Sequence, residues 1–364
     1  MRAPGIFVLG VSRSGTSIFT SLLRALGAHL GGAERGRPGG AGSGAHPDGI
    51  NELPAAVALN KAIFAAHGAL EPSPSSITPA PRPRRSRRSS GHHRRADPPA
   101  PCALHAGLSW EGTPRMLRPE HDRYVDAASK ILLRLSETAP AGRPWALKDP
   151  RLVMTLGYWT AAAAQVGVRY ALLLTMREPL ANAASLCVHG VGRRTDPLRR
   201  WADVNRLLLE QEKEHAVAAA VDEGATSLVL KSEQEREHAA SVDADGGTTS
   251  LVVSINDLWS NATRPLLLET ILAWGARAQL RLENDRGTFE AFDAAFGLTP
   301  HATEAAAREV GDARTLGAGC RPSLLRLQPE DVEIARRLRG RACDAIHERS
   351  SGTKVSPAKR CLTL

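Results

Sequence analysis

Aromatic residues are scarce in this sequence and make up only 4% of its 364 residues. Cysteine is scarce too, and no Cys-x-x-Cys pair and no histidine at metal-ligand spacing accompanies it. The five cysteines are widely spaced, at Cys102, Cys187, Cys320, Cys343 and Cys361. These absences argue against a disulfide scaffold and against a zinc site.

Long apolar runs are missing as well. The first apolar stretch, residues 6–10, is too short for a signal-peptide core or a membrane span. No run of about 18 uncharged apolar residues follows it anywhere in the chain. We therefore expect a soluble protein of the cytoplasm with no membrane span.

The formal net charge of +9 is unevenly distributed. Residues 71–101 hold seven arginines against two acidic residues, which accounts for +5 of the total. No aromatic residues are interleaved with these arginines, which argues against nucleic acid as a partner. The remainder is mildly basic and suits an enzyme whose co-substrate carries several negative charges.

Short apolar runs alternate with helical patterns along the rest of the chain, and the apolar content of 42% permits a sizeable core. Residues 6–9, 145–147, 170–176 and 251–255 are typical of strands buried on both faces. Charged residues follow several of these runs. The pattern predicts an α/β fold, with a parallel β-sheet flanked by helices and a ligand site at the carboxyl edge of the sheet.

Composition also predicts the domain organisation. One α/β domain covers residues 1–70 and 102–300. It is interrupted by a Pro/Ser/Arg-rich insertion at 71–101 and by a polar insertion at 232–249, and we expect both to be disordered because they offer little to bury. Residues 301–364 form a C-terminal helical region and tail.

A glycine-bounded polar loop connects the first strand to the first helix, where backbone N–H groups and the helix dipole can bind phosphate. Its spacing is that of the nucleotide-triphosphate loop G-x-x-x-x-G-K-[ST], but Thr16 stands in place of the lysine and the cation is Arg13. This displacement favours a ligand gripped at a diester bridge over a triphosphate with Mg²⁺. The alternative is a simple turn and N-cap. The candidate ligand-binding residues of the loop are Arg13, Ser14, Gly15, Thr16 and Ser17.

The loop resembles the donor-binding loop of sulfotransferases that use 3′-phosphoadenosine 5′-phosphosulfate (PAPS), especially the branch with arginine where others have lysine. A second segment adds to the resemblance. Arg177 and Ser185 lie eight positions apart after a buried strand, like the arginine and serine with which that family holds the 3′-phosphate of the donor. The resemblance covers about residues 6–70 and 145–274, and it implies a P-loop NTPase-like sulfotransferase fold.

Two further segments resemble the same family. Trp-Ala-Leu-Lys-Asp-Pro-Arg at 145–151 is similar to its W-x-x-K-D-P-R strand end, which implies that Lys148 lies near the transferring sulfuryl group. A surface cluster of salt bridges is the alternative for Asp149 and Arg151. His-Pro-Asp-Gly-Ile-Asn-Glu at 46–52 is similar to N-P-x-G-x-x-E, with His46 in place of asparagine. Glu52 is the candidate base, with Asp149 and His46 in reserve, although a glutamate that merely opens a helix would look the same.

The resemblance implies a metal-independent sulfotransferase that moves the sulfuryl group of PAPS to a hydroxyl or amine. Glu52, Arg13 and Lys148 would be catalytic, and the loop residues with Arg177 and Ser185 would bind the donor. The acceptor would be a small molecule, a carbohydrate or a lipid. Two alternatives stay open, a P-loop nucleotide kinase-like phosphotransferase and a non-catalytic PAPS- or RNA-binding protein. The family's glycine-rich C-terminal donor segment is not recognisable here.

Overall fold

The computed structural model describes residues 2–32, 51–67, 116–188, 196–222, 250–260, 263–283 and 329–350. The elements of these segments are, in chain order, β1 (Gly5–Gly10), α1 (Thr16–Ala25), α2 (Pro54–Ala66), α3 (Asp122–Thr138), β2 (Trp145–Lys148), α4 (Leu152–Val166), β3 (Tyr170–Met176), α5 (Pro179–Val188), α6 (Pro197–Asp222), β4 (Ser250–Ser254), α7 (Ile255–Trp259), α8 (Arg264–Arg277) and α9 (Pro329–Ser350).

The four strands form one parallel sheet in the order β2-β1-β3-β4. β1 pairs on both sides, with Gly5 in register with Trp145 of β2 and with Tyr170 of β3. The predicted α/β fold with a parallel sheet and flanking helices is therefore confirmed. The strands also extend to within one or two residues of their predicted bounds.

Side chains of each strand alternate between two apolar layers, one on each face of the sheet. In β1, Ile6 and Val8 pack with α1 and α8, where Trp274 is buried. Phe7 and Leu9 pack on the opposite face with α4 and α6. Because both faces are covered, the central strands have no polar face, and this explains their continuously apolar sequences.

Some of the predictions lie outside the described residues. The insertions at 71–101 and 232–249 and the residue His46 belong to this group. Within the described residues, α4 was not predicted, because it is buried on most of its circumference and so lacks the polar stripe of an amphipathic helix. No helix among the described residues is long and apolar enough to cross a membrane.

An ionisable group contributes to the packing of α6 against β3. The ring of His215 stacks on Tyr170, with ring centroids 4.9 Å apart, and its Nδ1 lies 3.3 Å from the Tyr170 hydroxyl. Burial lowers the pKa of His215 from 6.5 to about 4. The folded chain therefore binds this proton less readily than the unfolded chain does.

We expect the free energy of unfolding of the wild type to fall on acidification. His215→Phe should remove the part of this fall that comes from protonation of His215. The pKa of His215 is lower in the folded state, so its contribution is complete above 6.5 and is lost as the pH falls towards 4. Between about pH 7 and about pH 5 the difference in unfolding free energy between wild type and variant should change by roughly 2 kcal/mol. Urea denaturation across this range measures it, and parallel pH profiles would contradict the prediction.

Candidate functional site

The strand order brings three strand ends together at one edge of the sheet. β1 lies between β2 and β3, so the residues that follow Gly10, Lys148 and Met176 are neighbours. The chain leaves β1 towards one side to form β2 and then crosses to the other side to form β3. Such a reversal opens a crevice beyond the carboxyl ends of the strands, which is where open α/β sheets bind their ligands.

The loop after β1 is held to β3 by a chain of hydroxyl groups. The Thr175 hydroxyl donates to the carbonyl of Leu9 over 3.1 Å, so the buried Ser14 hydroxyl is the donor of the 2.8 Å bond between Ser14 and Thr175. The Ser14 side chain is thus engaged inside the protein, and its backbone N–H donates to the Val11 carbonyl over 3.0 Å. A Cβ at Gly10 would collide with the Thr175 hydroxyl, so glycine is needed there.

The same loop turns sharply into α1 through two residues in the left-handed region, Arg13 (φ 73°) and Gly15 (φ 94°). At Gly15 a Cβ would also lie 2.7 Å from Cδ1 of Ile255, which starts α7. Gly15 is the N-cap of α1 and provides no side-chain cap for the N–H groups at the start of the helix. These N–H groups, which include that of Thr16, are suited to an anion.

Two half-buried arginines approach each other beside this helix end. Arg13 donates through Nε to the Ser185 hydroxyl on α5 over 3.0 Å, and Arg177 donates through Nη1 to the Arg13 carbonyl over 3.4 Å. Burial, and after it the charge of Arg177, lowers the pKa of Arg13 to about 10. Burial also lowers the pKa of Arg177. In the part of the chain that the structure describes, neither guanidinium forms an ion pair with a carboxylate.

The backbone around these arginines is fixed by two buried side chains. Trp201 is fully buried and donates through Nε1 to the Arg177 carbonyl over 2.9 Å. Asn182, also fully buried, donates to the carbonyl of Ser12 over 3.1 Å. Asn182 thus holds the loop after β1. Trp201 is a packed residue that positions the backbone of Arg177.

Glu52 and Lys148 form an ion pair at the end of β2. Lys148 donates through Nζ to Oε1 of Glu52 over 2.8 Å. The Lys148 side chain is 2% exposed and that of Glu52 is 18% exposed, so the carboxylate keeps access to solvent. Glu52, the predicted base, and Lys148, the predicted catalytic cation, therefore lie in direct contact.

Asp149 lies directly behind this ion pair and belongs to a buried network. Arg151 donates to both of its carboxylate oxygens, at 2.9 and 3.0 Å, and Asn60 of α2 donates to it over 3.0 Å. Burial raises the pKa of Asp149, while Arg151 opposes this effect. Asp149 is fully buried and has no surface with which to reach a substrate, and its pairing with Arg151 is internal rather than a surface salt bridge.

The network continues into α4, since Asn60 accepts bonds from Thr155 (2.8 Å) and from Trp159 Nε1 (2.9 Å). These residues were not predicted from sequence, because nothing in their local pattern distinguishes them from ordinary helix residues. Asn51 was missed for the same reason. It is buried, has a φ of 52°, and donates to the Ser17 carbonyl of the loop over 3.1 Å.

A second buried charge cluster closes the side of the site formed by β3 and β4. Arg339 of α9 binds Asp257 of α7 through two parallel bonds of 2.8 and 3.0 Å. Glu178, which directly follows Arg177, shares this environment. Burial raises its pKa, Arg339 opposes the rise, and Asp257 adds to it. Arg339 therefore neutralises Asp257 and partly offsets the effect of burial on Glu178.

Comparison with models of known protein families, with curated proteins and with solved structures finds no match for this chain. The functional interpretation therefore depends on the geometry of the site and on the motifs of the chain. The structure brings Arg13, Arg177 and Ser185 together at one position. It brings Glu52 and Lys148 together at an adjacent one.

We expect Arg339→Ala to destabilise the fold by roughly 3 kcal/mol, because it leaves the Asp257 carboxylate, which is 2% exposed, without its bidentate partner. Arg337→Ala on the same helix is the matched control. Among the described residues Arg337 pairs only with Glu333 at the surface, and its loss should leave the unfolding midpoint unchanged. Urea denaturation of both variants tests this, and equal midpoints would show that the buried pair does not anchor α9.

Proposed function

We propose that this protein is a PAPS-dependent sulfotransferase that transfers a sulfuryl group to a hydroxyl or amine of an acceptor. One observation carries the proposal. Two guanidinium groups and the Ser185 hydroxyl converge next to the N-terminus of α1, and among the described residues no carboxylate neutralises the two arginines. The two positive charges repel each other, and a ligand with two or more negative charges that binds between them offsets this repulsion.

The donor fits this arrangement chemically. Its 3′-phosphate is a dianion, which the fork of Arg177 and the Ser185 hydroxyl can hydrogen-bond. Its 5′-phosphosulfate also carries negative charge, for which Arg13 and the backbone N–H groups of Gly15 and Thr16 are suited. The resemblance of the loop and of the Arg177 segment to sulfotransferases supports the same assignment, and with it a P-loop NTPase-like sulfotransferase fold.

The proposed reaction is an in-line displacement at sulfur. The acceptor oxygen or nitrogen forms a bond to sulfur while the bond from sulfur to the bridging oxygen breaks. The acceptor proton passes to the Glu52 carboxylate, and the electron pair stays on the 5′-phosphate of the departing 3′-phosphoadenosine 5′-phosphate. Arg13 and Lys148 stabilise the charge that grows on the bridging oxygen through preorganised electrostatics.

A kinase-like phosphotransferase is the weaker candidate. Its loop lysine, which reaches the outer phosphates, is replaced by Thr16. A non-catalytic binding protein would share the arginine pair but would have no need of Glu52 as a base, so the effect of a Glu52 substitution on turnover separates it from an enzyme.

We expect the wild-type protein to bind 3′-phosphoadenosine 5′-phosphate without metal and in preference to ATP with Mg²⁺. Arg177→Ala should weaken this binding about tenfold or more, equivalent to about 1.4 kcal/mol, because it removes a charged contact to the 3′-phosphate. Arg199→Ala is the matched control, since its side chain is 75% exposed on α6. Isothermal titration measures all three proteins. A preference for ATP with Mg²⁺ would favour the kinase instead.

We expect Glu52→Gln to retain affinity for 3′-phosphoadenosine 5′-phosphate and to lose turnover by roughly a hundredfold or more, because the amide still accepts from Lys148 but takes no proton. Turnover is measured as hydrolysis of sulfur-labelled PAPS, with water in place of the acceptor, and then with panels of alcohols, sugars and lipids. Wild-type turnover that survives this substitution would exclude Glu52 as the base.

A further inference from the structure

Asn51 has an unusual backbone conformation directly before Glu52. Its φ of 52° lies in the left-handed region, which asparagine adopts more readily than other non-glycine residues but still at a cost. Its side chain is only 3% exposed. A strained backbone of this kind persists only where surrounding contacts determine it, and such residues concentrate at functional sites.

Among the described residues, the hydrogen bonds of the Asn51 side chain all go to α1. Its Nδ2 donates to the Ser17 carbonyl over 3.1 Å and to the Ser21 hydroxyl over 2.6 Å. Both hydrogens of the amide are used in this way, while its Oδ1 has no hydrogen-bond partner among the described residues. The amide therefore acts only as a donor, and it binds the helix whose N-terminus faces the arginine pair.

Glu52 is thus attached at two points. Its backbone is joined to α1 through Asn51, and its carboxylate is joined to the end of β2 through Lys148. Ser17 lies in the first turn of α1 and is one of the residues proposed to bind the donor. The distance from the donor to the carboxylate is consequently set by a short path from Ser17 through Asn51 to Glu52.

From this geometry we infer that Asn51 is a positioning residue for the sulfuryl transfer and aligns the Glu52 carboxylate with a donor held on α1. This inference rests on the proposed function. It assigns Asn51 no contact with the donor or with the reacting atoms. Its loss should therefore lower kcat and leave the affinity for donor and product nearly unchanged, since misplacement of a reacting group by about 1 Å can cost up to about a hundredfold in rate.

The test compares two substitutions at position 51. Asn51→Gly accepts the positive φ without strain but removes the amide. Asn51→Asp keeps the shape but turns an oxygen towards the Ser17 carbonyl, so it should be at least as harmful. For both we expect kcat for hydrolysis of labelled PAPS to fall roughly 10- to 100-fold. We expect KM for PAPS and the Kd of 3′-phosphoadenosine 5′-phosphate to stay within about twofold of wild type.

Gln279→Gly is the matched control, because Gln279 also has a left-handed backbone (φ 54°). Gln279 follows α8 and accepts a hydrogen bond from Arg169. Arg169 precedes β3, so this contact lies at the opposite edge of the sheet from the site. It should leave kcat unchanged. Ser21→Ala provides a second variant that leaves the backbone of residue 51 intact. It removes one of the two contacts to α1 and should lower kcat about threefold to tenfold without lowering the thermal midpoint by more than Gln279→Gly does.

The outcomes separate this inference from the function on which it rests. In one outcome wild type turns over PAPS, Glu52→Gln abolishes turnover, and Asn51→Gly and Ser21→Ala match wild type. Asn51 then has no positioning role, while the proposed sulfotransferase activity is supported. If the position-51 variants weaken product binding as much as they lower kcat, Asn51 serves the donor site instead and the inference is wrong. If wild type does not turn over PAPS at all, both fail.

Discussion

The central position of β1, paired in parallel with β2 on one side and β3 on the other, determines where the loop after β1, Lys148 and Arg177 lie. It joins the loop after Gly10 to the strand end at Lys148 and to the strand end before Arg177. Apolar layers on both faces of the sheet hold these strands in register. Motifs more than a hundred residues apart in sequence therefore meet at one edge, and the site depends on correct strand pairing.

Charge distribution separates the proposed ligand-binding positions from the structural ones. Arg151 and Arg339 are each neutralised by a buried aspartate, Asp149 or Asp257, and these pairs fasten one element to another. Arg13 and Arg177 receive no such partner from the described residues. Burial makes both charged forms less favourable, and the charge of Arg177 adds to this effect at Arg13, yet with a pKa of about 10 Arg13 is still protonated at neutral pH. A protein that keeps two cations together at this cost gains stability when an anion binds.

The sequence was sufficient for the sheet, because strand periodicity is a local signal, and the glycine-bounded loop was enough to select candidate site residues. Arg13, Arg177 and Ser185 could be singled out by motif resemblance. Asn51 and Asn60 could not, since their partners lie 34 and 89 positions away and an asparagine near a helix start has many uses. The helix α4 was missed because burial on most sides removes the periodic signal that identifies amphipathic helices.

The segment from Asn51 to Asn60 shows why the position of Glu52 is a tertiary property. Asn51 fastens its start to α1, and Asn60 fastens α2 to the buried Asp149 behind the end of β2. Glu52 lies between these anchors and contacts Lys148, the residue before Asp149. Because each anchor is a buried hydrogen bond whose loss leaves an unsatisfied polar group, the segment cannot shift without a cost of about 1–3 kcal/mol at each. A carboxylate fixed in this way is aligned before any substrate arrives, which is the condition under which general base catalysis is effective.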